Sequence, residues 1–317
     1  MKQSKKLNPY KKGYLKVTDG HHLYYELCGN PDGIPCVFLH GGPGLGFSDR
    51  TKKIFYSKNY RMIFFEQRGA GRSKPHASLK ANTTWHLVED VNRLLDFLNI
   101  DKAFLIGASW GSTLALVYAI NNPHRVRGIL IWGIYLASKK TDHYYLQGGV
   151  KRFYPEVWKR FSEQVPIRQR KAIADYYLQQ MNSKNAKVRY HYCFEWLLYE
   201  VAMAQLTPTD KKIENQMKRF SKNQIVSFGR TIAHYMSHAS FIPNNYILKN
   251  AHKLSRIPTT IFNGRYDVIC PPEDAYALHS RIGTSKLQFL HGGHSLMSEK
   301  NSKRIIKTEL RRMTASL

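Results

Sequence analysis

Ser109 lies in Gly107-Ala108-Ser109-Trp110-Gly111, with a glycine two residues away on each side. A serine hydroxyl is a weak nucleophile until a base takes its proton and a carboxylate orients that base. The motif follows an apolar segment ending at Ile106 and opens a helical one at Gly111. Such a setting holds a serine on a sharp turn with its hydroxyl exposed. An ordinary Gly/Ser strand-to-helix turn would share these letters. Asp267 and His294 supply the acid and base in the order Ser…Asp…His, each on a loop after a strand-like segment. His40, His86 and His234 compete for the base role without that placement. Asp90 competes for the acid role, but it precedes the serine and lies in a helical pattern. The loop His40-Gly41-Gly42-Pro43-Gly44 follows another apolar segment. Backbone N–H groups of Gly42 and Trp110 are expected to receive the negative oxygen of a tetrahedral intermediate. A phosphate-cradling loop is the alternative, but the Lys-Ser/Thr pair of a P-loop is missing.

These residues need a scaffold that brings distant loops to one place. Segments 34–39, 61–65, 102–106, 128–132, 259–262 and 286–290 are short, apolar and bounded by turn residues. Near-continuous apolar runs suit parallel strands buried on both faces. Between them, Val91, Leu94, Leu95 and Leu98 mark one face of a helix, and 111–121 reads as a second helix stopped before Pro123. The alternation predicts an α/β fold with a doubly wound, mostly parallel sheet. From residue 138 to 244 strand signals fade and helical spacing dominates. Residues 1–137 and 245–317 are therefore expected to form the core, and 138–244 an inserted helical unit.

Composition narrows the classes further. The 317 residues are 43% hydrophobic and 22% charged, which excludes a disordered or collagen-like chain. Lys plus Arg number 49 against 22 Asp plus Glu, for a net charge of +27. The basic residues are scattered, so a solvated basic surface is expected rather than specific nucleic-acid recognition. Residues 1–10 are basic with no apolar stretch after them, so no signal peptide is expected. The longest apolar stretch, 128–137, is short of the roughly 18–20 residues that span a bilayer. Cys28, Cys36, Cys193 and Cys270 show no CxxC or Cys/His ligand spacing. No metal, cofactor or disulfide framework is expected, and reduced thiols point to the cytoplasm.

The motifs together resemble the proline iminopeptidases, or prolyl aminopeptidases, of the α/β-hydrolase superfamily. The resemblance runs from Gly13-Tyr14-Leu15 through the His40–Gly44 loop and Gln67-Arg68-Gly69-Ala70-Gly71-Arg72-Ser73. It continues through 107–116 and Gly264-Arg265-Tyr266-Asp267-Val268-Ile269-Cys270-Pro271 to His294-Ser295. It implies a helical cap over an α/β-hydrolase sheet and metal-free release of an N-terminal proline from short peptides. Trp196-Leu197-Leu198-Tyr199-Glu200 matches the family's cap segment, so Glu200 inherits a role in holding the substrate amine. Tyr135 matches an aromatic position of the proline pocket. Three positions depart from the family: Ile232 stands where a second glutamate is usual, Met236 where a phenylalanine is, and Leu146 where a tyrosine is. An esterase, amidase or broader aminopeptidase acting on small amides or esters is the second reading. A non-catalytic basic binding protein on the same fold is the remote one.

Overall fold

Apolar strands in this chain line up so that the C-terminal ends of its parallel strands share one edge. The computed structural model describes residues 7–315; Met1–Lys6, part of the basic N-terminal stretch, lie outside the described residues. Eight strands form one sheet: β1 (Lys11–Lys16), β2 (His22–Gly29), β3 (Ile34–Leu39), β4 (Tyr60–Phe65), β5 (Ala103–Ala108), β6 (Val126–Trp132), β7 (Thr259–Gly264) and β8 (Lys286–Leu290). Their spatial order is β1-β2-β4-β3-β5-β6-β7-β8. From β4 to β8 every pairing is parallel, and β1 and β2 are antiparallel to their neighbours. The fold is α/β, with a single, mostly parallel sheet.

The antiparallel β1–β2 pair is absent from the apolar-run reading above. β1 is exposed along most of its length and carries Lys11, Lys12 and Lys16. A run criterion tuned to strands buried on both faces passes over such an edge, where lysines discourage pairing with another chain.

Register fixes the catalytic edge. Leu39 pairs with Gly107, Ala108 with Trp132, Trp132 with Phe262, and Gly264 with Leu290. The loops leaving β3, β5, β6, β7 and β8 therefore emerge side by side, where open α/β sheets carry their sites. The helices follow as α1 (Asp49–Phe55), α2 (Thr84–Phe97), α3 (Trp110–Asn121), α4 (Lys139–Leu146), α5 (Pro155–Glu163), α6 (Ile173–Met181), α7 (Ala186–Met203), α8 (Asp210–Met217), α9 (Lys222–Ser237), α10 (Tyr246–Asn250), α11 (Pro272–Ile282) and α12 (Lys300–Ala315). Buried along almost its whole length, α3 packs against the sheet with Leu114, Leu116, Val117 and Ile120. Thr83 caps α2 by accepting the His86 N–H, and Ser221 and Gln224 cap α9 reciprocally.

The six helices α4–α9 lie between β6 and β7 in the chain. Aromatic stacking holds them together: Phe161 lies 4.1 Å from Tyr199 and 4.6 Å from Tyr177 between ring centroids. α9 rests on the core loops. Ser227 Oγ donates to Gly44 O at 2.9 Å, Arg230 to Ala77 O at 2.9 Å, and Tyr235 Oη to Asn82 Oδ1 at 3.0 Å. Among the described residues, no helix is long and apolar enough to cross a membrane.

One buried ion pair locks the loop after β4. Arg68 and Asp90 have fully buried side chains joined by two hydrogen bonds of 2.7 and 2.8 Å. Arg68 also donates to Ala81 O and Thr18 Oγ1. Arg68→Met leaves Asp90 as an uncompensated buried charge, and urea denaturation is expected to show a loss of about 3–5 kcal/mol.

Candidate active site

Ser109 is the turn between β5 and α3. Its backbone has φ 55° and ψ −127°, a conformation that non-glycine residues rarely adopt. The flanking glycines permit the turn. A Cβ on Gly107 would lie 2.3 Å from Gly111 O, and one on Gly111 would lie 2.0 Å from Leu39 O. Both distances are well inside van der Waals contact, so α3 starts hard against the ends of β3 and β5.

The loop after β3 is built as closely. Gly42 has φ +64°, and a Cβ there would sit 2.7 Å from Leu45 and 2.9 Å from Phe228. Gly41 lies against Ala108 and Ser109. His40 is buried and acts as a strut. Gln67 N–H donates to His40 Nε2 at 3.0 Å, which leaves the proton on Nδ1 to bond Gly41 O at 3.1 Å. Gln67 also donates from Nε2 to His40 O and accepts from the Trp110 indole N–H at 2.9 Å. Burial pulls the His40 pKa down to about 4, so the ring stays neutral. Trp110 is the first residue of α3, where N–H groups have no helical partner. The structure thus brings Gly42 and Trp110 to the wall of the same cavity as Ser109.

Asp267 and His294 meet across the ends of β7 and β8. His294 Nδ1 bonds Asp267 Oδ2 at 2.8 Å, while Oδ1 accepts the N–H groups of Ile269 and Cys270 at 3.0 and 2.9 Å. Burial alone would depress the His294 imidazole. The Asp267 charge and hydrogen bond, with the Glu200 charge, outweigh it and hold the pKa above its ordinary value. Ser109 and His294 line one cavity of about 220 Å³. The Ser109 hydroxyl stands beside the Cys270 thiol, whose pKa burial pushes well up.

Ser109 also lines a smaller cavity of about 30 Å³, with Tyr135, Tyr145, Glu200, Ile232, Met236 and Ile269 among others. Glu200 lines both cavities. Tyr145 Oη donates to Glu200 Oε1 at 2.5 Å and accepts the Trp196 indole N–H at 3.0 Å. Burial raises the Glu200 pKa, opposed by the Tyr145 hydrogen bond and the His294 charge.

One expected lining residue is replaced. Leu146 is buried among core residues and lines neither cavity at Ser109; its neighbour Tyr145 does. The helical turn of α4 places 145, not 146, on the cavity side, so an aromatic wall is present after all. Asp142, one helical turn earlier, was also passed over. It accepts a hydrogen bond from Tyr135 Oη, and burial pushes its carboxyl up to about 6. An aspartate in the first turn of a helix looks like ordinary dipole pairing, so its sequence signal is weak. Asp90 is claimed by Arg68. His86 bonds Thr83, and His234 faces Asn82 O.

The chain matches the alpha/beta hydrolase fold family over residues 34–301. It is 39% identical over 292 residues to a proline iminopeptidase of Arabidopsis thaliana, covering 91% of this chain and 76% of that one. It is 36% identical over 298 residues to a proline iminopeptidase of Xylella fastidiosa strain 9a5c, covering 93% and 94%. Among solved structures it resembles a proline iminopeptidase-related protein from Thermus thermophilus, with TM-score 0.63, 18% identity and coverage of 97% and 99%. It also resembles an esterase from Exiguobacterium antarcticum, with TM-score 0.67, 21% identity and coverage of 96% and 99%.

With His294 as the base, the His294–Asp267 pair predicts a pH profile. A base with a raised pKa is lost as pH falls through that raised value, so the acid limb of kcat/KM is expected above the ordinary histidine value of about 6.5. Asp267→Asn should cost about 10⁴-fold in kcat. It should also move the remaining limb to lower pH, because the charge that raised the imidazole is gone. An unmoved limb in that variant would assign the ionisation to another group.

Proposed function

The chain belongs to the proline iminopeptidase family of α/β hydrolases, and we propose that Ser109, His294 and Asp267 carry its prolyl aminopeptidase reaction by acyl transfer. The observation that carries the substrate assignment is Glu200: a carboxylate on the wall common to both cavities that flank Ser109. Among the described residues, no lysine or arginine pairs with it. The positive charge that acts on it is that of His294, present only when the ring is protonated; beside the neutral ring the half-buried carboxylate can take a peptide's free α-amine.

In this reading the proline ring enters the small cavity against Tyr135, Tyr145, Ile232 and Met236, with its amine on Glu200. The carbonyl carbon then faces Ser109. Rotation of the serine hydroxyl away from Cys270, into another staggered well, engages His294. His294 takes the proton as Oγ attacks, and the N–H groups of Gly42 and Trp110 hold the oxyanion. The imidazolium, oriented by Asp267, hands its proton to the departing peptide amine. Water, activated by the same histidine, releases proline. Ile232 places an aliphatic group where the family resemblance implies a second glutamate, so in this reading amine capture rests on Glu200 alone. The four buried, unpaired cysteines fit a reducing compartment, and the scattered positive charge fits a solvated surface.

Ser109→Ala should cost about 10⁶-fold in kcat and abolish covalent labelling by a serine-directed phosphonate. Glu200→Gln should lower kcat/KM for proline amides by about 10–100-fold and spare short acyl esters. A panel of Pro-, Ala- and Leu-anilides with matched acyl esters measures both. Equal losses on amides and esters, or no loss on amides, would favour the esterase reading. Ile232→Glu should improve KM for N-terminal-proline substrates, provided the added carboxyl stays ionised beside Glu200.

A further inference from the structure

The cavity at Ser109 and His294 does not end at the catalytic residues. It shares Ala204, Gln205, Gln216 and Ser295 with a second cavity of about 420 Å³, so the two form one cleft running outward from the nucleophile. A hydrogen bond from Ser295 N–H to Ala204 O, 3.0 Å, ties the loop bearing His294 to the end of α7 along this cleft. With the proline in the small cavity, as proposed, this cleft is where the departing half of a substrate lies.

The character of the wall changes along the cleft. Near Ser109 it includes Leu45, Leu197, Val201, Phe220 and Phe228. Farther out, three cations, Arg50, Lys212 and Arg219, line it with a single carboxylate, Glu299. None of the three cations makes an ion pair among the described residues. Two of them are held by neutral groups. Lys212 Nζ donates to Thr207 O and Oγ1 at 2.9 and 3.1 Å, and Arg219 donates to Gln216 Oε1 at 3.2 Å. Uncharged partners position a cation without neutralising it, and an ammonium with two bonds made keeps a third N–H free.

We propose that this outer cleft is a leaving-group subsite for a carboxylate, and that the enzyme selects short peptides carrying a free C-terminal carboxylate one to three residues beyond the scissile bond. The inference rests on the aminopeptidase reading above. It adds the opposite pole: Glu200 takes the positive end of a zwitterionic peptide and the Arg50–Lys212–Arg219 rim takes the negative end. Coulomb attraction at an exposed rim is screened by salt, over about 10 Å at 0.1 M and 3 Å at 1 M. The preference should therefore be salt-sensitive, whereas steric selection would not be.

The test compares kcat/KM for Pro-Gly, Pro-Gly-Gly and Pro-Gly-Gly-Gly with that for the corresponding C-terminal amides. Pro-Glu-amide is included to separate an acidic side chain from the terminal carboxylate. At low salt the best acid-to-amide ratio should be about tenfold, and it should fall toward one at 1 M salt. Lys212→Ala with Arg219→Ala should collapse the ratio, and Lys212→Glu with Arg219→Glu should invert it. These exposed side chains make no ion pairs, so folding is not at stake. A ratio near one in the unmodified enzyme, or one indifferent to both double variants, overturns the subsite. Proline p-nitroanilide, which carries no carboxylate, separates the two failures. Turnover of it with a ratio of one removes only the subsite, while no turnover removes the aminopeptidase reading and the subsite with it.

Discussion

The close approach of three backbones at the end of β5 is the constraint on which the rest of the site depends. Gly111 lets α3 begin against the carbonyl of Leu39, and Gly107 lets β5 pass under the first turn of that helix. Ser109 is held between them at a positive φ. Conformational strain of this kind costs on the order of 1–3 kcal/mol and persists only when surrounding packing over-determines it. Here the surroundings are the buried helix α3 and the parallel strands on both sides of β5. The presentation of Ser109 is therefore a property of the sheet's packing, not of the loop alone.

The loops that complete the site are held to one another by polar groups rather than by the sheet. Gln67 bonds both His40 and the Trp110 indole, so the oxyanion loop, the loop after β4 and the nucleophile turn are joined through one side chain. Next to it, Arg68 anchors that loop to α2 through Asp90. Arg72 lies over the rings of Tyr24 and Phe47 and pairs with Glu26 and Glu66, while Lys52 on α1 reaches the same Glu26. Each buried charge is costly on its own and acceptable because its partners are in place. Such networks favour one arrangement of the loops over alternatives that would leave a charge unpaired.

Much of this was legible in the chain because parallel strands buried on both faces read as unbroken apolar runs. Six of the eight strands announced themselves in that way. β1 did not, since an exposed, lysine-bearing edge strand lacks the signal, and β2, though buried and internal, breaks its apolar run with Glu26. The order of Ser109, Asp267 and His294 in the chain and their places after strands were readable, and the sheet brings Asp267 to His294 through register. Side-chain direction was harder. Whether Tyr145 or Leu146 faces the cavity depends on the rotation of α4 about its axis, which helix packing decides and local sequence does not. Asp142 was hidden for a similar reason: its partner Tyr135 lies on another element, and nothing in the spacing of seven residues marks the pair. The basic rim of the outer cleft draws Arg50 from α1, Lys212 from α8 and Arg219 from just beyond it, and no linear motif records that assembly.

The two cavities at Ser109 differ in more than size. The smaller is bounded by buried side chains, Tyr135, Tyr145 and Ile232, while the larger continues outward past His294. A residue held in the first leaves past the nucleophile and through the second. With Ser109 as the acylated residue, as proposed, traffic is first-in, last-out: the departing peptide clears the cleft before water reaches the acylated serine, and the freed amino acid follows. On the proposed reading, the smaller cavity, about 30 Å³ against about 220 Å³, leaves little room for chain to continue past a substrate's first residue. Depth would then select for the chain's beginning alongside the charge of Glu200.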